Sequence, residues 1–209
     1  MTRRYVWFLA LGLLSLCADV HGADVAAKSG IVKGNITIAG KPTADVVVSV
    51  EGVPSATAKA QLSSAKAKKA VMDQKEQKFI PYVLPVTAGT TVDFPNHDTN
   101  WHNVYSKGGA KDFDLGLYAP GKTRSVTFDK PGVARILCNA HPSMEAFIVV
   151  KEHPYFSSAD KGGNYRVDHV PLGKYRIQVW HPPLGTTEAG VELVREGEVL
   201  EVNFDLKKK

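Results

Sequence analysis

The chain has 209 residues, 44% of them hydrophobic and 22% charged, with 26 basic against 21 acidic side chains and a net charge of +5. That mild excess, with no basic groove signal interleaved with aromatics, gives no support to nucleic-acid binding. The two cysteines, Cys17 and Cys138, are too few for a disulfide framework.

Residues 1 to about 22 read as a secretory signal. Arg3 and Arg4 form a charged start, residues 6–16 are an apolar run too short to span a bilayer, and Gly22 and Ala23 offer a cleavage site. Leu16, before Cys17, is not the small residue that lipoprotein processing needs, so no lipid anchor is expected. The leader carries two arginines and one aspartate, so the exported chain would hold 24 basic and 20 acidic residues, net +4. Its destination would be a bacterial periplasm or an equivalent oxidising space. A lone Cys138 thiol is at risk of oxidation there, and metal ligation would protect it.

Residues 29–52 are strand-rich: GIVKGNITIAG, a turn at Gly40-Lys41-Pro42, then DVVVSVEG. Residues 55–69 are rich in alanine, lysine and serine and suit either a solvated helix or an exposed linker. Within 70–151, residues 103–105, 133–137 and 145–150 read as strands. Beyond residue 152 come NYRVDHV, KYRIQVW, AGVELV and VLEVNFDL, each alternating like a half-buried strand and separated by glycine or proline turns. No long amphipathic helix appears, and the chain reads as all-β.

The chemistry concentrates between residues 138 and 144. Cys138, His141 and Met144 have two residues between each successive pair, in a loop that Pro142 stiffens by fixing its own φ and restricting its predecessor. His102, in NWHNVYS, precedes another strand and would enter from a separate connection. One thiolate, two imidazoles and a thioether make the ligand set of a mononuclear blue-copper site. Thiolate and thioether suit Cu(I), while imidazole suits both oxidation states.

Other readings of these residues explain less. A lone cysteine is most often a small buried hydrophobe. A Cys–His nucleophile pair leaves His102 and Met144 without a role, and no orienting acid stands out. Zinc takes cysteine and histidine but has little use for a thioether. A binuclear copper centre would need a second cysteine. His97 reads as a solvated loop residue, His153 and His181 as turn residues before prolines, and His169 as part of a turn between strands. Trp180 and Tyr175 read as packing.

The stretch 70–151 resembles the cupredoxins, in KFIPYVLPVTAGTTVDFPN, then HNVYS, then VTFDKPGVARILCNAHPSMEAFIVV. It looks most like their plastocyanin and amicyanin branch and the methylamine-utilisation-type relatives, the short ligand spacing being similar to amicyanin. The resemblance implies a Greek-key β-sandwich with one copper ion cycling between Cu(I) and Cu(II). His102, Cys138 and His141 would be the strong ligands and Met144 the weak axial one. Asn103 would tie the two ligand loops together. His141 would be the electron port, with Trp101, Pro142 and Ala140 as apolar surface around it. The implied function is carriage of single electrons between transient redox protein partners, with no enzymatic turnover, no stable membrane anchor and a monomeric state. A copper trafficking or sequestration protein, or a docking protein with a secondary copper site, are the alternatives.

The C-terminal block, in ADKGGNYRVDHVPLGKYRIQVWHP, resembles the carboxypeptidase regulatory-like or transthyretin-like β-sandwich. In that family a strand pair like GIVKGNITIAGKPTADVVVSVEG comes first, and here it lies upstream of residue 70. The expectation is a split sandwich, 29–54 and 153–207, with the cupredoxin-like unit inserted at a loop. The alternative is an extended cupredoxin that uses the first two strands, followed by a separate C-terminal module.

Overall fold

The computed structural model of the protein describes residues 28–58 and 69–207. The expected leader and most of the 55–69 segment lie outside the described residues; 55–58 form one helical turn. The rest is built from strands. The first three are β1 (Ser29–Ile38), β2 (Lys41–Pro42) and β3 (Val47–Glu51). A central series follows: β4 (Lys69–Val71), β5 (Asp73–Lys75), β6 (Lys78–Ile80), β7 (Val83–Thr87), β8 (Thr90–Pro95), β9 (His102–Ser106), β10 (Phe113–Tyr118), β11 (Thr123–Phe128), β12 (Gly132–Leu137) and β13 (Glu145–Lys151). The last are β14 (Phe156–Ser158), β15 (Asn164–Pro171), β16 (Gly173–His181), β17 (Gly185–Leu193), β18 (Val199–Glu201) and β19 (Phe204–Leu206). The all-β class expected from the sequence is the one adopted.

The central series makes two sheets, β10-β9-β12-β13-β7 and β11-β8-β4, with β5-β6 as a separate hairpin. β7 joins β13 in parallel and β4 joins β8 in parallel, while their neighbours run antiparallel. The two sheets form a β-sandwich, as the resemblance of this stretch implies. Its core contains Val92, Phe94, Val104, Phe128, Ala134, Ile136 and Ile148, all fully buried. The period of two is plain in β8: Thr90, Val92 and Phe94 face inward, and Thr91, Asp93 and Pro95 lie on the other face.

The first strands pair with the last. β1 runs antiparallel to β15 and parallel to β18 and β19, and β3 lies between β14 and β16. A second core lies between these sheets, with Val32, Ile36, Val48, Val50, Val170, Ile177 and Val179 fully buried.

A third, smaller cluster joins the two assemblies. On β13, Ala146, Ile148 and Val150 belong to the central core, whereas Phe147 and Val149 lie in this cluster with Val47 of β3, Val83 of β7 and Trp180 of β16. The unbroken apolar run AFIVV is what a strand buried on both faces requires.

Three local expectations differ from the structure. VLEVNFDL is two strands, because β1 pairs with β18 only as far as Lys33 and takes up β19 from Ile36. At the break, Val202 N donates to Lys33 O at 2.8 Å and the Asn203 side-chain oxygen accepts from Asn35 N at 2.8 Å. His169 lies inside β15 with φ 55°, a kink in the strand rather than a turn between strands. His153 is not a plain turn residue: it is buried, with Nε2 3.4 Å from Glu51 Oε2.

Candidate metal centre

β9 is held between β10 and β12, so the residue at its start is enclosed from both sides. That residue is His102, fully buried and paired in register with Tyr118. β12 ends at Leu137, opposite Tyr105 of β9, which brings Cys138 next to His102 across the sheet. The chain then turns through residues 138–144 and returns as β13. Met144 N donates to His141 O at 2.9 Å, closing the turn that contains Pro142.

The Nδ1 atoms of His102 and His141 lie 3.0 Å apart, and Cys138 Sγ is 3.8 Å from the first and 4.0 Å from the second. A point in the plane of these donors is about 2.1 Å from all three, within the roughly 2.0–2.3 Å of metal–imidazole and metal–thiolate bonds. Among the described residues, this trio alone forms a cluster of three or more histidine, cysteine or carboxylate side chains able to hold a metal ion. Cys138 and Met144 are buried in the same core, whereas His141 keeps part of its surface exposed. Trp101 is 56% exposed, and Pro142 is exposed as well.

Asn103 bridges the two connections. Its Oδ1 accepts from Asn139 N at 2.8 Å, and its Nδ2 donates to Asp114 Oδ1 at 2.7 Å. The 138–144 loop is thereby tied to β9 and β10.

One residue of the site went unread in the sequence. Asp98 Oδ2 is 3.0 Å from His102 Nε2, with the carboxylate side chain only 8% exposed. The backbone N–H of Gln77, the bond to His102 and the N–H of Thr99 outweigh burial and lower its pKa to about 2. The one available signal was an acid four residues before the histidine, in a stretch otherwise typical of a solvated loop. The neighbouring His97 is largely exposed, with Nδ1 3.0 Å from Asp73 Oδ1 and no part in the cluster.

Residues 65–151 match the family described as copper binding proteins, plastocyanin/azurin family. This stretch is similar to a cupredoxin domain. Amicyanin-alpha of Methylorubrum extorquens is 32% identical over 79 residues, a match that takes in 36% of this chain and 66% of that protein's length. Two solved structures align at lower coverage or identity. The Cu-containing nitrite reductase of Thermus scotoductus SA-01 is 27% identical with a TM-score of 0.40, over 42% of this chain and 23% of that one. A purple cupredoxin of Nitrosopumilus maritimus is 23% identical with a TM-score of 0.36, over 39% of this chain and 99% of that one.

The cofactor of such a domain is one copper ion, and the donors here fit it. A thiolate and two imidazole nitrogens combine soft and intermediate ligands, and the three-donor plane has the size of a metal site.

Proposed function

We propose that the protein is an exported, periplasmic type 1 copper protein that carries single electrons between redox proteins. The observation that supports this most is the convergence of His102, Cys138 and His141 at one buried point, with only His141 reaching toward the surface. Bound copper supplies one-electron chemistry between Cu(II) and Cu(I). The protein's part is to hold the donors still. Cys138, His102 and His141 would hold the ion as its strong donors, and Met144, buried in the same core as Cys138, would be the weak one. Asn103 and Pro142 stiffen the loops that carry these donors. A frame that barely relaxes between oxidation states keeps reorganisation small. Trp101 and Pro142 give the His141 end an apolar surface suited to brief encounters.

The signal-like residues 1–22 support export. Among the described residues, no helix is long and apolar enough to cross a membrane. Residues 70–151 and the combination of 29–54 with 153–207 are read as two units, the second a carboxypeptidase regulatory-like or transthyretin-like sandwich. Their separate cores and the β1–β15 and β3–β16 pairings support that division. The protein acts as a monomeric carrier, not an enzyme.

The test is optical and electrochemical. Cu(II) is titrated into wild type, Cys138→Ser and Met144→Leu. Wild type should give an intense thiolate-to-copper band. Cys138→Ser should lose it, since a hydroxyl cannot supply that charge transfer. Met144→Leu should stay coloured with a raised reduction potential, because losing the axial donor favours Cu(I). A wild type that binds Cu(II) without the band would sink the proposal.

A further inference from the structure

The geometry points to Asp98 as the residue that positions His102 and sets the charge felt at the metal centre. This rests on the copper reading above. His102 is fully buried, and its Nε2 faces Asp98 Oδ2 at 3.0 Å. The carboxylate is itself fixed from several sides. Oδ2 also accepts from Gln77 N at 2.7 Å, and Oδ1 accepts from Thr99 N at 2.7 Å and from Thr99 Oγ1 at 3.4 Å. Hydrogen bonds donated to both oxygens favour the ionised carboxylate, so the proton of the contact sits on His102 Nε2. The neutral ring then carries a bare lone pair on Nδ1. Nδ1 is the atom 3.8 Å from Cys138 Sγ and 3.0 Å from His141 Nδ1. Asp98 therefore selects the tautomer that presents a donor to the metal, and it fixes the ring's rotation.

The backbone around this contact carries strain that a loop without a task would shed. Glu76 and Gln77 connect β5 to β6 as a two-residue turn, with φ of 53° and 54°. Two successive non-glycine residues in the left-handed region are uncommon, and neither is the asparagine or aspartate that tolerates it best. This turn directs Gln77 N–H at Asp98. Strained backbone whose result is a positioned carboxylate beside a ligand is the pattern of a functional constraint.

The carboxylate also acts through charge. Cys138 thiolate and Asp98 carboxylate together match the two positive charges of Cu(II), and against Cu(I) one negative charge is left over. At 8% exposure, water and salt screen Asp98 weakly. The oxidised form is therefore favoured, and the potential is held below that of the same ligand set without the acid. Removing the hydrogen-bond partner of a ligating histidine typically lowers metal affinity 10–100-fold. Where Cu(II) bears that loss and Cu(I) does not, each tenfold corresponds to about 59 mV in a one-electron potential.

The test uses the full chain as wild type, Asp98→Asn and Asp98→Glu, with Asp98→Ser as the neutral variant should the asparagine prevent folding. Three readouts are taken: ¹⁵N NMR of the His102 ring in metal-free and zinc-loaded protein, competition affinities for Cu(II) and Cu(I), and the potential at low salt and at high salt. The expected result for the neutral variant is a 10–100-fold loss of Cu(II) affinity, a smaller loss for Cu(I), and a raised potential that persists in high salt. Its metal-free His102 should populate both tautomers, whereas wild type holds the Nε2-protonated one. Asp98→Glu should restore most of each property. A neutral variant with the wild-type tautomer and potential overturns the proposal, even if it melts lower. Failure of the copper reading is a separate outcome, namely wild type without a Cu(II)–thiolate band.

Discussion

At the scale of single residues, three of the metal-site side chains were legible because they are neighbours in sequence. Cys138, His141 and Met144 lie on one short loop, so their nearness in sequence made them candidates for one site. Asn103 was legible only through family resemblance, and its structural value can be measured. It is 5% exposed and satisfies both Asn139 N–H and Asp114. Asn103→Ala leaves a backbone donor and a carboxylate short of partners, which should destabilise the metal-free protein by about 1–3 kcal/mol. The ligands remain, so a copper-loaded variant should keep its visible band. Urea melts of the metal-free protein, paired with spectra of the loaded one, check both halves. An unchanged melt would show that the bridge carries no stability. Asp98 escaped the sequence reading because its two decisive partners, Gln77 N–H and His102 Nε2, are identified only once the β5–β6 turn has folded against the 96–100 loop.

At the scale of elements, alternation located most strands, but breaks and turns were less legible. KEQK between β5 and β6 lacks the Asn-Gly or Asp-Gly signal of a two-residue hairpin, so nothing local announced that turn. The break between β18 and β19 depends on a partner about 170 positions away. Gly34 of β1 sits against the Val202 carbonyl at that break, so closely that a Cβ there would collide with it.

Tyr118, at the end of β10, gives this scale a pH test. It is 2% exposed, donates to Phe94 O at 3.0 Å and accepts from Gln74 Nε2 at 2.5 Å. Burial pushes its phenol up to about 12. The folded state therefore keeps a proton that the unfolded chain, titrating near about 10, has lost. Stability from this residue is intact below about pH 10 and falls as pH rises through about 12. Tyr118→Phe should be less stable near neutrality by about 1 kcal/mol, through loss of the Phe94 and Gln74 bonds, and should show a shallower alkaline decline. Urea midpoints across that range are the measurement; parallel declines in the two proteins would refute the assignment.

At the scale of the whole molecule, Glu51 is the polar centre of the junction between the two assemblies. It ends β3, and its Oε1 accepts from Lys151 Nζ at 2.7 Å and from Ser49 Oγ at 2.7 Å. Lys151, at the end of β13, also donates to Gln178 of β16 at 2.9 Å. The His153 bond first, then Lys151 and Ser49, hold the Glu51 carboxyl well below the ordinary carboxylate range despite its burial. Because the folded value is depressed, the stability it contributes is present above the unfolded value near 4.5 and is lost as pH falls below it. Glu51→Gln should lower stability at neutral pH by about 1–3 kcal/mol, discounted from the cost of a fully buried pair because Glu51 is partly exposed. That gap should shrink as the pH falls below about 4, where the unfolded chain takes up a proton that the folded carboxylate does not. A gap equal in acid and at neutrality would mean that the ion pair is not its source.

The sequence by itself determined what is local: an all-β chain, since alternation of period two needs no partner to be seen, and a thiolate–imidazole–thioether loop, since seven residues carry all three donors. Only the tertiary structure decided which far strands meet. AFIVV reads as a buried strand in either arrangement, and only packing of β3 and β16 against its outer face explains why Phe147 and Val149 are apolar. The same holds for His102 and Asp98. A histidine in sequence is a possible ligand through either nitrogen, and His102 presents Nδ1 because the Asp98 carboxylate occupies the other side of its ring. Contacts of that kind depend on where folded surfaces touch, which side-chain chemistry read along the chain does not specify.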